Sequence, residues 1–399
     1  MLTDVHHDTS PDLSSANAYK VLEKLIGFPT ISSACNLDLI AFVEQYLNDY
    51  GVTSTILHSA CGKKAGLIAT VGPMVPGGVI LSGHTDVVPV DGQAWTSDPW
   101  TMRSEGGRLY GRGACDMKGF CAAALAMVPA FQAAGLKRPI HLAFSYDEEI
   151  GCFGVQPMIS HMRDALPPVE AVIVGEPTEL DVVNAHKGTW ALMTRVTGHE
   201  VHSSICHQGV SAVMVAARLV TWLEDRMAEN AALAPSARQG SPFDPPYTTL
   251  HVGRIKGGTS GNVTAGYCSF PTDIRVLPEE DMDYWLQRYT DHTQAVQEKM
   301  RGIHPDVGIA VEVKARVAGL SPEVQGTAEA LVRQLMSVGP SQSGGFGSEA
   351  GLFQEAGYST VVCGPGSMMQ AHQPDEYICE DQMEACTTFF QRLADKLAV

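Results

Sequence analysis

Hydrophobic residues recur every three to four positions in several segments of the chain, a spacing typical of helices with one buried face. This pattern predicts helices over 16–26, 37–48, 210–226, 327–338 and 383–397, and a buried helix that begins near Lys118 and covers 120–131. Short apolar runs predict buried strands over 67–71, 79–82, 141–145, 171–174 and 360–362. Buried strands that alternate with helices indicate an α/β architecture, in which both faces of a sheet are covered.

The pattern changes from about residue 188 and predicts a second kind of domain. The segments there are an alternating strand over 190–196, the helix over 210–226, a loop rich in Ala, Pro and Ser over 231–246, an extended segment over 267–276 and a strand near Val311. We therefore predict one α/β domain made from both ends of the chain, 1–186 and 313–399, interrupted by an inserted α+β domain over 187–312.

Length and composition narrow the classes of function. A chain of 399 residues is long enough for two domains. Its composition, with 45% hydrophobic and 18% charged residues, is typical of a compact globular protein. The 44 acidic residues exceed the 27 basic ones, which gives a net charge of −17 with histidine counted neutral. Such a surface repels phosphate groups, so neither nucleic acid nor a membrane is an expected partner.

The cysteines and the first residues predict a cytoplasmic protein. The ten cysteines contain no Cys-x-x-Cys pair, and several lie inside apolar runs, as buried thiols do. The first ten residues contain two aspartates and no apolar segment, so no secretory signal is expected. The longest apolar run, 120–131, is too short to span a bilayer.

Five short segments place histidine or acidic residues where a predicted strand ends or a loop begins. They contain His84 and Asp86, Asp116, Asp147 with Glu148 and Glu149, Glu176, and His372. Gathered at the strand ends of one sheet, two imidazoles and three carboxylates, one of them bridging, would make two metal sites with nitrogen and oxygen ligands. Zinc, cobalt and manganese suit such ligands.

Each segment has a simpler interpretation when it is taken alone. His84 could be a buried histidine that bonds to a neighbour, and Asp116, just before a helix, could be an N-terminal cap. The three consecutive carboxylates at 147–149 could form a solvated turn, although such a turn seldom abuts a buried strand. A cation offsets their repulsion better, with one carboxylate binding it and its neighbour available to move protons.

The order and spacing of these segments resemble the M20 metallopeptidase family of co-catalytic zinc amidohydrolases and exopeptidases. The resemblance extends over essentially the whole chain and is carried by the stretches 111–120, 146–152, 175–178, 186–188 and 370–377. It implies a zinc-exopeptidase-like α/β/α catalytic domain and an inserted ferredoxin-like α+β domain through which two copies form a homodimer.

The resemblance implies which residues bind metal. One Zn²⁺ would be held by His84, Asp116 and Glu176. The other would be held by Asp116, Glu149 and His372, so that Asp116 bridges the two ions. Co²⁺ or Mn²⁺ could replace zinc, because these ions accept similar ligands.

It also implies roles for residues that bind no metal. Asp86 would orient a histidine ligand, and Glu148 would be the general base for the attacking water. His202 would reach the active site of the partner subunit and stabilise the oxyanion. Asn262 and Arg275 match positions that bind the substrate carboxylate, for which a guanidinium is well shaped. A surface salt bridge is the alternative for Arg275.

One segment departs from the family pattern. Ser348 lies where family members commonly have threonine, which makes it a candidate substrate-binding residue. A helix cap is the preferred structural interpretation of Ser348. The neighbouring Glu349 could contact a cationic substrate side chain such as that of ornithine.

The activity implied is removal of the acetyl group from an N-acyl amino acid. The expected small-molecule substrate is N2-acetyl-L-ornithine and the products are L-ornithine and acetate, a step of arginine biosynthesis. The alternatives on the same scaffold are a succinyl-diaminopimelate desuccinylase, a carboxypeptidase or dipeptidase, and an aminohydrolase. A metal-binding protein without activity is disfavoured, because it would not need Glu148 beside the five ligands.

Overall fold

A computed structural model describes residues 13–32, 34–237 and 241–399 of the chain. The helices are α1 (Leu13–Ile26), α2 (Leu37–Asp49), α3 (Lys118–Ala126), α4 (Val128–Ala133), α5 (Val155–Ala165), α6 (Ala212–Ala237), α7 (Met282–Arg301), α8 (Thr327–Leu335), α9 (Ala350–Glu355) and α10 (Glu380–Leu397), with a 3₁₀ helix at Ser203–Gln208. The strands are β1 (Ser54–His58), β2 (Ala65–Val71), β3 (Gly78–His84), β4 (Arg103–Glu105), β5 (Arg108–Tyr110), β6 (Ile140–Ser145), β7 (Val169–Pro177), β8 (Val183–His186), β9 (Gly188–Thr197), β10 (Thr249–His251), β11 (Lys256–Gly257), β12 (Tyr267–Val276), β13 (Gly308–Val317), β14 (Gln342–Gly344), β15 (Thr360–Gly364) and β16 (Tyr377–Cys379).

The chain divides into two compact units. The first contains the described residues up to Asn184, with Pro322–Gln342 and Ser348–Val399, and the second contains the described residues of Ala185–Ser321 and Ser343–Gly347. The second unit thus continues past residue 312, where the sequence analysis placed the end of the inserted domain. The assignment of a catalytic and a dimerisation role to these parts stays a prediction.

The first unit contains β1, β2, β6, β3, β7 and β15 of a mixed sheet whose strand order is β1-β2-β6-β3-β7-β15-β8-β14. The four central strands β6, β3, β7 and β15 are parallel to their neighbours within this set. Strands β3, β6 and β15 are buried along their whole length, which explains their nearly continuous apolar sequences. Parallel strands end at one edge of the sheet, and this carboxyl edge is where α/β sheets bind ligands.

The second unit has a ferredoxin-like topology. Its strands β9, β10, β12 and β13 alternate with α6 and α7 in the order β-α-β-β-α-β, and the sheet order is β10-β12-β9-β13. Burial alternates strictly along β12, so one face of this antiparallel sheet packs on the helices and the other does not. The mixed α/β and α+β fold class predicted from the sequence is confirmed.

Two predicted elements need correction. The loop expected over 231–246 begins later, because α6 runs to Ala237; the alanines at 231, 232 and 234 favour helix. The single helix expected over 120–131 is two helices that meet at Met127, because Pro129 lacks an N–H and fits only the first turn of a new helix.

One stretch of the described chain, Ala114–Ala133, is long and apolar enough to cross a membrane, and 89% of its most apolar window is buried inside the protein. Core helices of compact proteins meet the same criterion, so the stretch is no argument for a membrane span. Six of the ten cysteines are buried and all ten are free thiols, as the sequence predicted.

Candidate metal centre

The five predicted ligands lie together at the carboxyl edge of the first unit's sheet. His84 is the last residue of β3, Glu176 is next to the last of β7, and Glu149 follows β6 in a short loop. The register pairs His84 with Ser145, the last residue of β6, so the two neighbouring strands end at the same level. His372 is in the loop between β15 and β16.

Asp116 occupies the middle of the site. Its Oδ1 lies 3.1 Å from Nε2 of His84, and its Oδ2 lies 3.2 Å from Nε2 of His372. The helix that follows is preceded by Met117 and has no side-chain cap, so the capping role considered for Asp116 is wrong. A carboxylate that directs each oxygen at a different imidazole has the arrangement of a bridging ligand.

The remaining donors complete two groups around this carboxylate. Nε2 of His372 lies 3.1 Å from Oε2 of Glu149, and Nε2 of His84 lies 3.8 Å from Oε1 of Glu176. Oε1 of Glu176 is buried and accepts no hydrogen bond from any residue that the structure describes. A buried carboxylate oxygen without a donor, beside an imidazole, fits a site for a divalent cation.

Glu148 lies beside the ligands on the same loop. Its Oε2 is 4.0 Å from Nε2 of His84, and its Oε1 is 3.4 Å from Sγ of Cys152. Donor atoms of Glu148, His84 and Glu176 all lie within 4.8 Å of one another. The carboxylate is therefore close enough to the site to exchange a proton with a molecule held there.

Asp86 fixes the loop that carries Glu148 and Glu149. Its carboxylate accepts the backbone N–H groups of Glu148 at 3.1 Å and Glu149 at 3.4 Å. Nδ1 of His84 lies nearer to the backbone oxygen of Asp86, at 2.9 Å, than to its carboxylate, at 3.6 Å. Asp86 thus orients the histidine mainly through its main chain and the acidic loop through its side chain.

Two residues that support this loop were missed by the sequence analysis. Ser32 donates its hydroxyl to Oδ2 of Asp86 at 2.6 Å, and Lys64 bonds to Asp147 and to the backbone oxygen of Ser32. Neither residue lies near a motif in the sequence. Asp147 has a φ of 57°, a conformation that needs such outside contacts to persist.

Burial and mutual repulsion raise the pKa of three carboxyl groups in the protein without bound metal. Burial is the main cause of the raised pKa values of Glu148, Glu149 and Glu176, and neighbouring carboxylates add to it. A raised pKa suits Glu148 as a group that takes up a proton near neutral pH.

The histidines shift because of the same carboxylates. Hydrogen bonds to Asp116 and Glu149 raise the pKa of His372 to about 10. Burial acts to lower the pKa of His84, but its bond to Asp116 and the charges of Glu176 and Glu148 outweigh burial, so the net shift is well upward. Burial opposes the ionisation of Asp116, yet the two histidines hold its pKa below the ordinary value.

These shifts predict how the stability of metal-free protein depends on pH. Groups with raised pKa values, such as Glu148, Glu176 and His84, stabilise the fold below their unfolded-state pKa, and this contribution is lost as pH rises through the folded-state pKa. The contribution of Asp116 has the opposite sign, but it is lost only in acid, below its ordinary value of 3.8. Between pH 5 and 9 the contribution of these groups to the stability of chelator-treated protein should therefore fall. The lowered pKa values of three buried or half-buried groups act in the opposite direction: about 7 for Lys118 and about 4 for His141 and His186.

Differential scanning calorimetry with and without zinc measures this effect. Bound cations compensate the ionised carboxylates, so the gain in Tm on zinc loading should grow with pH. A gain in Tm on zinc loading that shrinks as pH rises would contradict the electrostatic description of the site.

Ser348 and Glu349 do not face solvent. Oγ of Ser348 accepts the N–H of Ala350 at 3.2 Å, as a cap does. Glu349 is 1% exposed and accepts the hydroxyl groups of Ser82 and Ser145. Burial raises the pKa of Glu349 to about 7. His84 and Glu176 are almost as deeply buried as Glu349, so burial does not decide whether Glu349 contacts a cationic substrate side chain. That interpretation stays a prediction.

The other three predicted site residues belong to the second unit. His202 and Asn262 are exposed neighbours: Ser203 N–H donates to the backbone oxygen of Asn262 at 2.8 Å. Arg275, on β12, pairs with Asp273 at 3.0 Å and donates to Oγ1 of Thr189 at 3.1 Å. It also lines a cavity of about 300 Å³. The carboxylate-binding role of Arg275 stays a prediction, with the ion pair as its observed contact.

The chain belongs to peptidase family M20/M25/M40, whose sequence model matches residues 80–396. It is 32% identical to an acetylornithine deacetylase of Myxococcus xanthus, over 96% of this chain and 97% of that protein. It is also 32% identical to an acetylornithine deacetylase of Shigella sonnei (strain Ss046), over 90% and 92% of the two chains. The fold is similar to that of the M20 family metallo-carboxypeptidase Sso-CP2 from Sulfolobus solfataricus, with a TM-score of 0.76 at 18% identity, over 96% and 99% of the chains.

These similarities confirm the family that the sequence motifs indicated. The protein is a hydrolase that acts on amide bonds, and its substrate is a small molecule.

Proposed function

We propose that the site binds two divalent metal ions, with Zn²⁺ as the first choice and Co²⁺ or Mn²⁺ as substitutes. His84, Asp116 and Glu176 would hold one ion, and Asp116, Glu149 and His372 the other. The observation that carries this proposal is that the two oxygens of Asp116 each face a different histidine, at 3.1 and 3.2 Å. Two such ions, when bound, polarise an amide carbonyl and make water more acidic.

The residues of the chain would supply the proton transfers. Glu148 would take a proton from the attacking water and deliver it to the leaving nitrogen, since it adjoins the ligands and its raised pKa allows it to hold that proton. His202 would donate a hydrogen bond to the developing oxyanion in the active site of a partner subunit. This last role requires a homodimer formed through the second unit. We propose this homodimer because the second unit has the ferredoxin-like topology that the family resemblance led us to expect of a dimerisation domain.

The proposed reaction is hydrolysis of N2-acetyl-L-ornithine to L-ornithine and acetate, in the cytoplasm and as a step of arginine biosynthesis. The support is the similarity to two acetylornithine deacetylases along nearly the full length of both chains. Arg275 and Asn262 would bind the α-carboxylate of the substrate. A guanidinium fits a carboxylate with two parallel hydrogen bonds, which lysine cannot match.

A substrate panel tests this proposal. With zinc- and cobalt-loaded enzyme, kcat/KM for N2-acetylornithine should exceed that for N-acetylalanine, N-succinyl-diaminopimelate and a dipeptide, by about 10- to 200-fold if side-chain fit alone discriminates. Release of free amine is the measurement, and acetate release checks the stoichiometry. A higher kcat/KM for the succinylated compound or the dipeptide would assign one of the other reactions of this scaffold instead.

A further inference from the structure

Glu376 is a buried carboxylate with an unusual number of donors. Its side chain is fully enclosed and accepts a hydrogen bond from Nη1 of Arg112 at 2.6 Å, and Arg112 is itself 1% exposed. Three backbone N–H groups also point at it: those of Gly113 at 3.1 Å, Cys115 at 2.9 Å and Asp116 at 3.0 Å. The loop before α3 is therefore wrapped around one carboxylate, with Gly113 at a φ of 82°.

Arg112, the partner of Glu376, also contacts the segment that carries His372. Nη1 of Arg112 lies 3.4 Å from the backbone oxygen of Gln373, and Nη2 donates to Oε1 of Gln93. Nε2 of Gln93 donates in turn to the backbone oxygen of His372 at 2.8 Å. His372 has a φ of 63°, a conformation that few residues other than glycine adopt and that the surrounding contacts help to hold.

The sequence alone does not predict that the loop of Asp116 and the loop of His372 are held at a fixed distance. Asp116 and His372 are 256 residues apart in the numbering, and each lies in a loop. Glu376, Arg112 and Gln93 form a network of hydrogen bonds that connects the backbone at Asp116 with the backbone at His372. It lies behind the ligands and touches neither of their donor atoms.

We propose that Glu376, paired with Arg112, is a positioning residue that sets the separation between the bridging carboxylate of Asp116 and the imidazole of His372. This inference rests on the proposed function only in that the ligands bind metal. It does not depend on which amide the enzyme hydrolyses. The charge is needed because one carboxylate accepts four hydrogen bonds and neutralises a buried guanidinium, which an amide cannot do.

Metal binding by Glu376→Gln tests the proposal directly. Calorimetric titration with Zn²⁺ and the visible absorption of Co²⁺ should show two ions per chain in the wild type and an affinity about 10- to 100-fold weaker in the variant for at least one ion. With metal at saturating concentration, kcat should fall while KM stays within about twofold, because Glu376 does not face the substrate.

Glu323→Gln is the matched control. Glu323 also accepts a backbone N–H, that of Thr360 at 2.9 Å, and a hydroxyl, that of Ser359 at 2.6 Å. Thr360 begins β15, at the opposite edge of the sheet from the ligands. The control variant should lose less thermal stability than Glu376→Gln, because the described contacts of Glu323 are hydrogen bonds and not a buried guanidinium, and it should keep wild-type affinity for both ions.

The double variant Glu376→Gln/Arg112→Met separates folding from positioning. Removing the unpaired guanidinium should restore much of the lost Tm, whereas metal affinity should remain weak because the acceptor for the loop is still missing. If Glu376→Gln does not fold, the double variant and Gln93→Ala decide: Gln93 is partly exposed, and its loss should weaken metal binding by a smaller factor with little change in Tm.

The result that overturns the proposal is wild-type affinity for both ions in these variants, or equal loss of affinity in Glu323→Gln. A wild-type protein that binds no metal would also overturn it. A wild type that binds two ions but leaves N2-acetylornithine intact would refute the proposed substrate alone and leave the positioning role standing.

Discussion

Replacing Glu148 by glutamine is expected to abolish turnover while metal binding persists. The amide keeps the size of the side chain but cannot accept a proton from water, so kcat should fall by about 100- to 10,000-fold. The five ligands are untouched by the change, and the backbone N–H of residue 148 still donates to Asp86. Steady-state kinetics on the best substrate of the panel, with metal content measured on the same sample, gives both quantities.

Glu170→Gln is the control for this substitution. Glu170 lies near the start of β7 and pairs with Arg138, at the end of the strand opposite to Glu176. Its kcat and metal content should match the wild type. Turnover by Glu148→Gln at a rate near wild type would show that another group is the base.

Exhaustive removal of metal is expected to eliminate hydrolysis, and adding back zinc, cobalt or manganese should restore it. The reason is the chemistry of the ligands. His84 and Glu176 lie on one side of Asp116, and Glu149 and His372 lie on the other. One carboxylate oxygen among them, Oε1 of Glu176, is buried and has no hydrogen-bond donor among the described residues. Activity plotted against added metal should rise in proportion up to two ions per chain.

The Tm should increase in parallel with metal binding, since a ligand that binds only the folded state stabilises it. Dialysis without chelator serves as the control for handling losses. Full activity at a metal content below one tenth of an ion per chain would exclude a metal-dependent mechanism. Saturation at one ion would retain the amide hydrolase and revise the number of ions.

The sequence allowed the α/β architecture and most helices to be predicted, because burial of strands and helices follows directly from local hydrophobic periodicity. The predicted ends of two helices were wrong, because hydrophobic pattern and composition did not show where a helix stops. The apolar run over 120–131 has one composition throughout, yet Pro129 divides it into two helices. The alanines after residue 230 extend α6 where composition alone suggested a loop.

In the candidate site, too, some residues could be predicted from the sequence and others could not. Its ligands could be named from sequence because a strand end and a short acidic segment are local features, and because their order resembles a known family. The contacts of Ser32, Lys64 and Glu349 could not be predicted, since each is made with residues far away in the chain. Ser32 bonds to Asp86, Lys64 to Asp147, and Glu349 to serines of β3 and β6.

The sequence by itself determined the family, the class of fold and the residue types that meet at the site, because motifs and hydrophobic periodicity are written along the chain. Only the tertiary structure decided how those residues face one another. The parallel strands bring His84 and Glu176 to one edge, and the enclosed pair of Arg112 and Glu376 joins the loops of Asp116 and His372. Such contacts depend on strand order and loop packing, which no local pattern encodes.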